Sequence, residues 1–134
     1  MKAETITLIR NASFSLLGLL LLAYAVGVLL SGRPDPVSPW IPGLAGIVTA
    51  IVVTTASFMG ERKASAIAWD ELTRSEWGRS LRGGYWVAIW LYPVFAVLMI
   101  TDIVSGPQTF ASMGTLTGAA PFLLFLRAWI RGRA

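Results

Sequence analysis

Asp70 and Glu71 are adjacent carboxylates, and Arg74 follows one helical turn later. They are the residues whose types and spacing come nearest to acid–base chemistry. On a helix, however, neighbouring side chains point about 100° apart, so the two acids cannot close on one substrate atom. A lipid-modifying enzyme would need a nucleophile, a metal cluster or a converging acid–base pair at the interface, and the sequence has none. It contains no Cys and no His. That removes thiol chemistry, disulfides, haem held by either residue and the usual zinc sites. It also removes the side chain best suited to titrate near neutral pH. Asp102, the remaining acid with a sharp reading as a cation ligand or a partner for Arg33, is expected to be a solvated loop residue. The expectation is a protein that is not an enzyme and has no cofactor or metal.

The acids belong to a segment, residues 61–82, that carries nine of the chain's eighteen charged side chains. Only 13% of all residues are charged and 55% are hydrophobic, against roughly 25% charged in soluble domains. Stretches of 22, 25, 19 and 24 residues without charge (11–32, 36–60, 83–101 and 103–126) occupy most of the rest. Crossing about 30 Å of hydrocarbon at about 1.5 Å per residue takes about 20 residues. The fold expected is an all-α membrane protein, a single domain over 1–134. Its four transmembrane helices run at about 11–32, 43–60, 84–101 and 108–126 in an up-down-up-down bundle, with 61–82 as the inner connection. The first run reads on into Ser31-Gly32-Arg33 with no small-residue cleavage pattern, so it is taken as a retained helix.

Charge asymmetry gives the expected orientation. The N-terminus, the segment 61–82 and the tail hold ten Lys and Arg residues, and the two opposite loops hold Arg33 alone. Positive charge stays inside, so both termini and 61–82 are expected to be cytoplasmic. The net charge of +4 is absorbed by that orientation and does not point to nucleic acid. The same asymmetry separates the chain from two groups of four-span proteins. Small multidrug exporters and fluoride channels have nearly balanced charge; moreover, the exporters' first-span glutamate and the channels' glycine–arginine signature are absent here.

Breaks and packing positions follow from residue type. Four prolines between Arg33 and Pro42 forbid a helix there. Gly83-Gly84 is expected to break the chain ahead of the third span, and Pro93 to kink that span. Gly46 and Ala50, and the GxxxG pair Gly114/Gly118, are small residues at four-residue spacing that let helix backbones approach. They are expected to pack within the bundle ahead of dimerisation. Within 61–82, Asp70/Arg74, Glu71/Arg74 and Glu76/Arg79 are helix-supporting pairs with the acid first. The segment is expected to extend the second helix and turn back at Gly83. Trp69 then either projects beyond the second span or folds back to the membrane surface.

The run Asp70-Glu71-Leu72-Thr73-Arg74, followed by Gly84-Tyr85-Trp86, resembles a group of small four-span bacterial membrane proteins of unknown function. Several of those are encoded beside helix-turn-helix regulators of the XRE type. The resemblance covers residues 61–95. It implies a bacterial inner-membrane protein whose inner face holds or modulates a regulator, and it supplies no catalytic residues.

The leading expectation is therefore a non-enzymatic inner-membrane protein. Its partners would be the lipid bilayer and, through Trp69, Asp70, Glu71 and Arg74, a cytoplasmic regulator or another membrane protein. An aromatic beside Arg and acids has the composition of an interface hot spot. The alternative is a small transporter or channel, a homo-oligomer with a polar path near Tyr92, Thr115 and Thr117.

Overall fold

A computed structural model describes residues 1–132. Among them there are five helices and no strands: α1 Ala3–Ser31, α2 Trp40–Met59, α3 Arg62–Ala68, α4 Glu71–Ile100 and α5 Gly106–Ile130. All but α3 are long and apolar enough to cross a membrane. They alternate in direction and pack in the order α2–α1–α5–α4, with α3 against α1. The first residues of α1 and α4, the last residues of α2 and α5, and all of α3 meet at one end. This is the charged end of the bundle.

The sequence explains most boundaries. The proline run separates α1 from α2, although α2 starts at Trp40 and takes Pro42 into its first turn. A missing N–H costs nothing there. Ser105 begins α5 with a capping box: its hydroxyl accepts from the Gln108 N–H, and the Gln108 side chain accepts from the Ser105 N–H. Asp70 begins α4, accepting from the Thr73 N–H at 2.8 Å. Asp102, a turn residue at φ 55°, is exposed.

Two expectations about 61–82 are corrected. The segment does not extend α2, because Gly60 is in extended geometry and ends it. Nor does the chain break at Gly83-Gly84, since α4 runs through both glycines for 30 residues. Glycine in a helix interior costs about 1 kcal/mol against alanine. At Gly84 the missing side chain makes room for α5: a Cβ there would lie 2.9 Å from Pro121 Cδ and 3.2 Å from Pro121 N. A glycine that looked like a breaker is a close-approach site.

The helix-packing positions shift in the same way. A Cβ at Gly18 of α1 would lie 3.0 Å from Phe122 Cβ. The α1–α5 seam closes there and on the buried cluster of Leu17, Leu21 and Ala119. Gly46 and Gly114 have no neighbour within 4 Å of such a Cβ, and Gly118 meets Leu21 at an ordinary 3.5 Å. The close approaches to a neighbouring helix's backbone or Cβ are thus at Gly18 and Gly84, not at Gly46 or Gly114. Pro93 sits within α4, exposed, without interrupting the helix.

Candidate functional site

Buried residues on α1 recur at three- and four-residue steps: Ile6, Arg10, Phe14, Leu17, Leu21, Tyr24 and Val28. Arg10 falls on this stripe and is only 1% exposed. A buried guanidinium is costly unless its donors and charge are answered. Here they are answered in part: Nε donates to Asn11 Oδ1 at 2.9 Å and Nη1 donates to the Ala68 carbonyl, while buried Nη2 has no hydrogen-bond partner. Ala68 is the last residue of α3, so the bond satisfies a carbonyl that the helix leaves open, at the end where a cation is favoured. The cation also lies over two aromatic faces, with Cζ 4.8 Å from the Trp69 centroid and 5.6 Å from that of Phe125. A desolvated cation–π contact contributes about 2 kcal/mol.

Trp69 is thereby drawn inward. Its Nε1 donates to Ser57 Oγ of α2 at 3.1 Å, while that hydroxyl donates to the Val53 carbonyl at 2.9 Å. The Trp69 ring meets Phe14 edge-on at 6.5 Å. Phe14 in turn stacks on Trp77 at 4.9 Å and packs edge-on against Phe122 and Phe125. One arginine and one tryptophan therefore join α1, α2, α3 and α5, and the aromatic cluster adds α4.

The four residues expected to form a docking surface come out divided. Trp69 is half-buried and supports the fold; the projecting position is overturned, because its N–H and its ring both find partners inside. Asp70, Glu71 and Arg74 remain exposed. The backbone N–H of Thr73, and then its side chain, hold the Asp70 carboxyl below the usual carboxylate range, with a smaller pull from Arg10. Of the three expected acid–base pairs only Glu76–Arg79 forms, at 3.0 Å. Asp70 is occupied as the cap of α4. Ile67 and Leu72 are exposed beside these charges, at 59% and 55%.

A groove of about 1190 Å³ lies between α2 and the remaining helices. Gly46, Ala50 and Gly118 line it, so the small residues expected to bring helices together instead leave space. Its other end reaches Arg62, Ser65, Trp69 and Arg74. Tyr92, Thr115 and Thr117 line neither this groove nor the apolar cleft between α4 and α5. Tyr92 and Thr117 point outward, and the Thr115 hydroxyl donates to its own helix at Ala111 O, 2.8 Å away. Within one chain the three residues share no cavity. Among the described residues no group of three or more His, Cys, Asp or Glu could hold a metal ion.

Sequence reasoning missed Arg10, which read as one more basic flank. Its only signal is that it continues the spacing of Phe14, Leu17 and Leu21. It also missed Ser57 as the partner of Trp69, and Glu76 as a buried acid. No protein-family model, curated protein or solved structure matches the chain.

Proposed function

We propose that this is a multi-pass protein of a bacterial inner membrane, non-enzymatic, with both termini and residues 61–82 in the cytoplasm. On this reading it presents α3 and the first turns of α4 to a cytoplasmic protein partner. The ten-to-one distribution of Lys and Arg supports the orientation, and the resemblance of residues 61–95 supports a bacterial regulator as the partner. The observation that carries the reading is the locking of the charged end. A plain connecting loop has no need of a buried arginine capping α3 and a tryptophan bonded to α2. Those contacts hold Ile67, Glu71 and Leu72 outward in one arrangement. A rigid patch of apolar and charged groups binds with less ordering cost than a loop. Trp69 acts as the support beneath that patch, not as its anchor.

A photo-cross-linking residue at Ile67, introduced in cells, tests this. The expected result is one defined protein adduct, the helix-turn-helix regulator, that Leu72→Glu abolishes and that the same cross-linker at Tyr92 does not give. Absence of any adduct at Ile67, with solute flux through the purified protein in vesicles, would replace docking by transport.

A further inference from the structure

The groove beside α2 is divided chemically along its length. Its wall on α2 runs from Pro42 to Phe58, about 24 Å at about 1.5 Å per residue. Through most of that length the lining is apolar or small. The charged side chains, Arg62 and Arg74, and two serines, Ser57 and Ser65, gather at the charged end; further along α2 the only polar side chains in the lining are Thr49 and Thr54. No acid lines the groove. The sole ion pair among the described residues is Glu76–Arg79, so neither Arg62 nor Arg74 is neutralised by the protein. Two guanidinium groups without an ion pair, with the Ser65 hydroxyl beside them, at the end of a long and largely apolar channel match a molecule with a negative head and a hydrocarbon tail.

We infer that the groove binds one anionic phospholipid, with its phosphate between Arg62 and Arg74 and an acyl chain along α2 past Val53 and Ala50. The inference rests on the four long helices lying in a bilayer, and not on the docking partner. At about 1190 Å³ the groove exceeds the roughly 300–1,000 Å³ that takes a drug-sized ligand. Its length exceeds the roughly 15 Å depth of one hydrocarbon leaflet, half of about 30 Å. Arginine suits the role because its planar fork pairs two donors with phosphate oxygens. The polar end lies where the Lys and Arg count places the cytoplasmic leaflet, which is the anionic one. A second copy of this chain fits less well, since a packed helix would leave both arginines unanswered.

Native mass spectrometry of the detergent-purified chain tests this, by titration with dioleoylphosphatidylglycerol and dioleoylphosphatidylcholine. These lipids share acyl chains and differ in charge. The expected result is a one-to-one adduct favoured at least tenfold for the anionic lipid. Arg62→Gln with Arg74→Gln removes the preference; both side chains are exposed and unpaired, so the fold is retained. Ala50→Phe, which fills the channel, lowers binding of both lipids. Equal binding of the two lipids by the wild type would overturn the inference, as would a preference that survives both arginine changes. So would equally tight binding of glycerol phosphate alone, or a dimer that Ala50→Phe dissociates, which would make the occupant a second copy. A chain that is monodisperse without detergent would instead remove the bilayer reading itself.

Discussion

α5 and α2 both lie against α1, and they are held there in opposite ways. α5 is fixed by shape along the seam. Gly18 admits Phe122, and fully buried Ala119 packs with Leu17 and Leu21. α2 contributes only Val53 and Ala56 to the buried interior, and the groove separates much of its length from the other helices. At its last turn it is joined to α3 through Ser57 and Trp69, and α3 is joined to α1 through Arg10. Shape holds one side of the bundle along its length; the other has little apolar packing, chiefly Val53 on Phe14 and Phe125, and leans on a few polar contacts at the charged end. Disruption of the seam should therefore be felt throughout the molecule. Disruption of the polar contacts should free α3 and the end of α2 and leave the α1–α5 core standing.

Substitutions sharpen that contrast. Gly18→Leu should have the largest effect, because a side chain there meets Phe122 Cβ at 3.0 Å and the Leu123 backbone at 3.4 Å. Overpacking of this kind costs about 3 kcal/mol, and the thermal midpoint in detergent should fall clearly. Gly114→Leu is the control and should leave the midpoint unchanged, since nothing lies within 4 Å of that position. A fall with Gly114→Leu would mean that the helix face holding Gly114 is covered.

Arg10→Met comes next. It keeps most of the packing volume and deletes the bond to Ala68 and the cation over Trp69. Hydrogen bonds from a charged group contribute about 2 kcal/mol. The loss should appear as proteolysis between residues 60 and 70 with near-normal helix content. Trp69→Phe removes only the Nε1–Ser57 bond and part of the ring, at about 1 kcal/mol. A greater loss for Trp69→Phe than for Arg10→Met would move the centre of the network from the arginine to the indole.

The smallest effect concerns pH. Asp70 has a folded pKa below its unfolded one, owing mainly to the Thr73 N–H. Its contribution is therefore complete above the unfolded pKa of about 3.9 and fades as pH falls through the lower, folded value. Protease protection at the start of α4 should weaken below about pH 4. Asp70→Asn, which still accepts the capping bond, should flatten that dependence. An identical acid response in Asp70→Asn would assign it to another group.

The four long helices and their turns were legible because charge and proline interrupt hydrophobic runs in ways that lipid-scale lengths make unambiguous. Which face of each helix packs was not legible. α1 and α2 are apolar all round, so the stripe Phe14–Leu17–Leu21 does not stand out from Leu16, Leu19 and Leu20 beside it. The same ambiguity sent the packing reading to Gly46 and Gly114, where small residues border open space, and away from Gly84, which looked like a helix break. At the charged end the sequence displayed the right residues, Trp69 to Arg74, and hid their roles. Whether a tryptophan projects or folds back depends on Arg10 and Ser57, 59 residues earlier and 12 residues earlier in the chain.

Hydrogen exchange of the α3 amides tests the central claim most directly, comparing wild type with Arg10→Met in the same detergent. The Ser65 and Trp69 amides donate to carbonyls four residues earlier, so each reports whether α3 is formed. If Arg10 locks α3 to the bundle, both amides exchange slowly in the wild type and at least tenfold faster in Arg10→Met, about 1.4 kcal/mol, while amides along the α1–α5 seam stay unchanged. Unprotected α3 amides in the wild type, or equal protection in both proteins, would contradict the account.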